Sequence, residues 1–184
     1  MDRSFTGQWF VALSGNPGTA LAPVFGSPSL QDSPVPVDYD GDGKADFAVY
    51  RRTTGEWFIS LPAEGRQVRM SWGAPSLGDV PVPGDYDGDG KTDVAVYRTS
   101  TAGWFIAPSA TPGGVINVAW GAPHLRDVPV QGDFDADGKF DIAVYRQATG
   151  QWFIRRSSDG GTTSLTWGAP SLDDVPLIRP VMLR

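Results

Sequence analysis

The chain has 184 residues, with 15 Lys and Arg against 21 Asp and Glu, one His, no Cys, 23 Gly and 16 Pro. Its basic residues form no run, so there is no nucleic-acid footprint, and no stretch approaches the roughly 18 apolar residues of a membrane span. Without cysteine there is no thiol nucleophile and no demand for an oxidising or a reducing compartment.

Read from the start, residues 1–31 form a partial unit. It opens on Thr6-Gly7-Gln8-Trp9 and runs to an aromatic-Gly turn at Phe25-Gly26. Residues 1–20 have neither the basic start nor the apolar stretch of a signal peptide. The unit 32–78 then writes out a full pattern. A Val-Pro-Val run leads into Asp38-Tyr-Asp-Gly-Asp-Gly-Lys-Ala-Asp46, and Phe47-Ala-Val-Tyr50 follows. After a Thr/Gly turn come Trp57-Phe-Ile59 and the alternating Val68, Met70 and Trp72. The units 79–126 and 127–173 repeat it, with Val80 and Val82 or Val128 and Val130, then Val94–Tyr97 or Ile142–Tyr145, then Trp104–Ile106 or Trp152–Ile154. Residues 174–184 begin the pattern a last time, and Pro180 stands where its first loop Asp would be.

The period is strict. Trp9, Trp57, Trp104 and Trp152 are spaced by 48, 47 and 48 residues, and Phe25, Trp72, Trp120 and Trp167 by 47, 48 and 47. Short alternating segments punctuated by Gly and Pro, with this period, predict four strands per unit and an all-β propeller of four-stranded blades. The chain starts at the third strand of a unit and ends near the first. That phase predicts a single domain, 1–184, of four blades, in which 174–184 completes the blade containing Trp9 and strand 175–178 is innermost. A closed ring would be a monomer; the alternative is a dimer of arcs, or an arc of a longer propeller.

The acidic loop carries the chemistry. Hard divalent cations take several oxygen ligands from a short, tightly turned backbone. Asp38, Asp40, Asp42 and Asp46 supply them in the first loop, Asp85, Asp87, Asp89 and Asp93 in the second, and Asp133, Asp135, Asp137 and Asp141 in the third. Gly43, Gly90 and Gly138 allow the turn, and the main-chain carbonyls of Lys44, Lys91 and Lys139 are the seventh-position ligands. Twelve of the 21 acidic residues lie in these loops, so three bound divalent ions would neutralise the formal charge of −6. About three calcium ions are therefore the expected cofactor. Val49, Val96 and Val144 stand where an EF-hand has its bidentate Glu, which suits weaker sites and millimolar extracellular calcium.

Together the loops, the Asp-Val-Ala-Val-Tyr-Arg strand and the Trp-Gly-Ala-Pro turn resemble the FG-GAP, or VCBS-like, repeat of bacterial extracellular proteins and integrin α-subunit propellers. The resemblance implies calcium in the loops between first and second strands, on the Asp residues just named. A fungal lectin propeller with similar calcium loops adds glycan binding. Val37 departs from the Gly that precedes the other loops (Gly84, Gly132), and propellers of this family usually have more than four blades.

No catalytic constellation is legible. Outside the repeated positions the carboxylates are Asp2, Glu56, Glu64, Asp159 and Asp173, without acid/base pairing. His124 occupies a turn position held elsewhere by Ser29, Ser76 and Ser171, and no Ser sits in a nucleophile elbow. The expected function is a non-catalytic, secreted or cell-surface recognition or adhesion module, with a glycan or a cell-surface protein as partner. A bare structural or engineered scaffold is the alternative, and a polysaccharide-active enzyme a further one.

Overall fold

The structure is a computed structural model, described over residues 6–16, 18–172 and 174–176. Its strands fall into four consecutive antiparallel sheets. The first holds only β1 (Val11–Ala12) and β2 (Ala20–Leu21), extended by an isolated bridge between Gln8 and Val24. Three four-stranded sheets follow: β3 (Asp32–Pro34), β4 (Phe47–Arg51), β5 (Glu56–Leu61), β6 (Arg66–Ser71); β7 (Asp79–Pro81), β8 (Val94–Arg98), β9 (Gly103–Ala107), β10 (Ile116–Ala119); and β11 (Val128–Gly132), β12 (Asp141–Arg146), β13 (Gln151–Arg155), β14 (Thr162–Thr166). In each, the strands neighbour one another in chain order, as propeller blades do. No α-helix occurs among the described residues.

Alternation fixes which side chains meet. In the second blade Tyr50 pairs with Trp57 and Trp57 with Met70, so these three share one face, and Val49 and Phe58 share the other. One core cluster joins Tyr50, Trp57 and Ile59 of the second blade to Val94, Val96 and Phe105 of the third. A second cluster joins Tyr97, Trp104 and Ile106 to Ile142, Val144 and Phe153 of the fourth. Trp57 and Trp104 are fully buried, and burying such a side chain stabilises by roughly 1.5–3 kcal/mol. The strand-borne aromatics therefore hold blade to blade.

Each blade leaves through a 3-10 turn: Pro28–Leu30, Pro75–Leu77, Pro123–Leu125 and Pro170–Leu172. A Gly precedes it where nothing larger fits. Gly73 has φ +127, and a Cβ there would lie 2.8 Å from the Tyr50 hydroxyl. The Asp after the turn accepts a main-chain N–H from its start, as in Ala74 N to Asp79 Oδ2 at 2.7 Å. That same Asp is gripped by an Arg 19 residues on, across the first strand pair. Arg51 meets Asp32, Arg98 meets Asp79 and Arg146 meets Asp127, each through two bonds of 2.8–3.0 Å. The guanidinium groups also lie 4.3–4.4 Å from the ring centres of Phe58, Phe105 and Phe153.

The predicted completion of the first blade by 175–178 falls largely outside the described residues. Asp174 to Pro176 form no strand, and Val175 is exposed.

Candidate metal centres

The three acidic loops bridge first and second strands at one rim. In each, the leading Asp folds the loop around its own carboxylate. Asp38 accepts from Gly41 N and Gly43 N at 2.7 Å each, and Asp85 from Gly88 N at 2.6 Å and Gly90 N at 2.9 Å. The third loop carries Ala136 in place of Gly, held at φ 61, and Asp133 there accepts from Asp137 N at 3.1 Å and Gly138 N at 3.0 Å. Lys44, Lys91 and Lys139 donate their main-chain N–H groups to Asp42, Asp89 and Asp137.

Carboxylate oxygens converge at all three loops. Asp38, Asp40 and Asp42 bring one oxygen each within 4.8 Å of one another, as do Asp85, Asp87 and Asp93, and Asp133, Asp135 and Asp141. Asp46 lies outside the first of these sets, and Asp89 and Asp137 outside the other two. The last Asp of each loop is buried: Asp46 accepts Tyr39 N, Asp93 accepts Tyr86 N, and Asp141 accepts Phe134 N, all at 2.9 Å. Burial pushes Asp46 and Asp93 up to about 6, and repulsion from neighbouring loop carboxylates adds to it. Burial likewise raises Asp85 and Asp141.

The donor set fits a hard cation. It is oxygen only, it is multiply acidic, and it leaves buried oxygens without a hydrogen-bond partner, Asp40 Oδ2 and Asp135 Oδ1. Such atoms are costly unless something positive faces them.

The loops are not equivalent, for a reason the repeat spacing does not reveal. The hairpin between third and fourth strands closes over the second and third loops. Ser109 N donates to Asp93 at 2.6 Å and Ser109 Oγ to Asp89 at 2.7 Å; Ser157 N donates to Asp141 at 2.7 Å and Ser157 Oγ to Asp137 at 2.9 Å; Ser158 Oγ reaches Asp135 at 2.5 Å. At the same place over the first loop stands Pro62, which has no N–H to give. The signal was in the sequence, 16 residues after the last loop Asp, in a hairpin turn that carries no acidic ligand.

Consecutive loops also touch. Thr92 N donates to the Asp38 carbonyl at 3.0 Å, and Phe140 N to the Asp85 carbonyl at 2.6 Å. Gly84 is required by this stacking, since a Cβ there would strike the Phe140 ring. Before the first loop Val37 stands at that place, and the following loop carries Thr92 where the third carries Phe140.

Away from the loops, a groove of about 420 Å³ lies at the junction of the first two blades, lined by Phe25, Asp32, Arg51, Phe58, Gln67 and Arg69 among others. His124 is exposed in a 3-10 turn. Glu56, Glu64 and Asp159 are each paired with an Arg: Arg69, Arg66 and Arg156. Asp2 and Asp173 lie outside the described residues. No described helix is long and apolar enough to cross a membrane.

Comparison with known proteins agrees with this architecture. Residues 38–96, which hold the first two loops, match the FG-GAP-like repeat. No curated protein sequence matches the chain. Two crystal structures share the fold. One is selenomethionine-substituted virginiamycin B lyase from Staphylococcus aureus, at 6% identity and a TM-score of 0.54. The other is a catalytically inactive form of that lyase with quinupristin, at 8% identity and a TM-score of 0.55. Each likeness covers 90% of this chain and 50% of the other, so the chain spans half the length of the structures it matches. At such identities the likeness carries the propeller fold alone.

Proposed function

We propose that the chain, an FG-GAP-repeat propeller over residues 38–96, binds calcium in its three loops and serves as a non-catalytic recognition or adhesion module outside the cell, with glycans as ligand class. The observation that carries the calcium reading is the pair of buried, unpartnered oxygens on Asp40 and Asp135, each inside a cluster of oxygen ligands. Asp38, Asp40, Asp42 and Asp46 would hold one ion, with the corresponding Asp residues of the other loops holding the second and third, and the carbonyls of Lys44, Lys91 and Lys139 completing the sets. The ions' role is structural: they neutralise carboxylates that otherwise repel one another at the rim. The absence of a bidentate Glu supports weak sites, suited to millimolar calcium.

The non-catalytic reading is supported by the fate of the carboxylates outside the repeat. Hydrogen bonds from Arg69 and Thr54 hold Glu56 below the usual range, and Arg156 does the same for Asp159, so neither is poised as a general acid. The groove at Phe25 and Phe58 supports ligand recognition, combining aromatic surface with amide and guanidinium donors. A glycan array probed with and without calcium tests the whole reading. Calcium-dependent hits are expected; silence in both arms sinks the glycan assignment and leaves a structural scaffold. Turnover of a polysaccharide would overturn the non-catalytic assignment.

A further inference from the structure

The hairpin between third and fourth strands grips the second and third loops, and among the described residues it makes no such bond to the first. In the third loop Ser157 holds two carboxylates at once. Its N–H donates to Asp141 at 2.7 Å and its hydroxyl to Asp137 at 2.9 Å. Ser158 Oγ donates to Asp135 Oδ2 at 2.5 Å, while the buried Oδ1 of the same carboxylate has no partner. Asp135 is one of the three residues whose oxygens converge in that loop, with Asp133 and Asp141. In the second loop Ser109 repeats the double grip on Asp93 and Asp89, and Ala110 N donates to Asp87 at 3.1 Å.

The grip goes with a different choice of converging carboxylates. Where a serine hydroxyl holds the fifth-position Asp, the converging oxygens come from the first, third and ninth positions. In the first loop, under Pro62, they come from the first, third and fifth, and Asp46 is left out. There the fifth-position carboxylate, Asp42, takes the ammonium of Lys44 instead, at 3.0 Å. A hydroxyl is a neutral donor and leaves a carboxylate its full charge for a cation, whereas an ammonium offsets that charge.

We propose that Ser157 with Ser158, and Ser109, are positioning residues that hold the third and second loops in ligating shape before an ion arrives. The first loop is shaped by the ion itself. This deepens the calcium reading of the loops and rests on it. A ligand set fixed in advance loses less of its binding energy to ordering, and partners of metal ligands set affinity by about 10–100-fold.

Two arms test this on the 184-residue protein. Gly43 N and Gly138 N occupy the same place in their loops, and each donates to its leading Asp in an exposed bond. In EDTA, amide hydrogen exchange should nevertheless be slower at Gly138 than at Gly43. Ser157→Ala with Ser158→Ala should bring Gly138 to the Gly43 rate; Ser157→Thr with Ser158→Thr, which keeps both hydroxyls, should not. In a calcium titration followed at the same glycine signals, the Ala pair should raise the Gly138 midpoint by about 10-fold or more. The Thr pair should keep the parent midpoint. If the Ala pair does not fold, Ser109→Ala gives the same comparison at Gly90. Equal exchange at Gly43 and Gly138 in EDTA overturns the proposal, as does an Ala pair with the parent midpoint or a Thr pair that fails as the Ala pair does. If calcium moves none of the parent's glycine signals, the calcium reading falls, and the EDTA arm still decides whether the serines hold the loop.

Discussion

Asp46 and Asp93 report the loop's electrostatics most directly, because burial and carboxylate neighbours raise both to about 6. A carboxyl raised in the fold above its ordinary unfolded value, near 4, adds stability that is fully present below that value and is lost as pH rises through about 6. In EDTA, urea midpoints should therefore fall between pH 4 and pH 7. In saturating calcium the bound ion holds these groups ionised, and the trend should reverse. Equal slopes in both media would remove the cation from the account. Asp87→Ala is the sharpest single change, since Asp87 is one of three converging ligands in the second loop. At calcium 100 times the dissociation constant it should forfeit about 2.7 kcal/mol of calcium-induced stability, measured as the difference between calcium and EDTA arms. At Ala136 the left-handed backbone is strained by the methyl group, so Ala136→Gly should stabilise the protein by about 1 kcal/mol. A loss on chemical denaturation would show that the strain is absent.

Between elements, the stacking of loops explains a sequence difference that looks arbitrary. Gly84 faces Phe140, whereas Thr92 occupies the Phe140 position in the loop that follows Val37, so Gly84→Val should cost about 1–3 kcal/mol by overpacking. Adding Phe140→Thr should recover part of that cost in a double-mutant cycle; strict additivity would contradict the contact. The repeat made the strands and acidic loops readable, because a blade uses one residue per position and the period exposes it. Other features were not readable. Ser109 and Ser157 close over their loops from the hairpin between third and fourth strands, and Pro62 breaks the series without altering the spacing. The Asp32–Arg51 type of ion pair was visible as a constant interval, but only strand register shows that its members face each other. Closure was the least legible feature. It depends on blade-to-blade curvature, which arises from packing and sheet twist and leaves no trace in a periodic pattern.

At the scale of the molecule, three ions would act on the whole series of blades. Independent sites at 100 times their dissociation constants would contribute on the order of 8 kcal/mol, comparable with the entire stability of a typical domain. Thermal unfolding in calcium, magnesium and EDTA should separate widely, with magnesium near EDTA. Coincident curves would leave the loops without a stabilising ion. Independence, however, is what the hydrogen bonds from Thr92 to Asp38 and from Phe140 to Asp85 deny. The residue that leads one loop is tied by its own carbonyl to the loop after it, so ordering one loop positions its neighbour's first ligand. The three loops then behave as a short chain of nearest neighbours, in which the middle one feels both sides and each outer one feels a single side. Calcium titration should be steeper than three separate isotherms, and emptying the second loop should forfeit more summed binding free energy at the remaining loops than emptying either outer one, each pairwise effect being reciprocal.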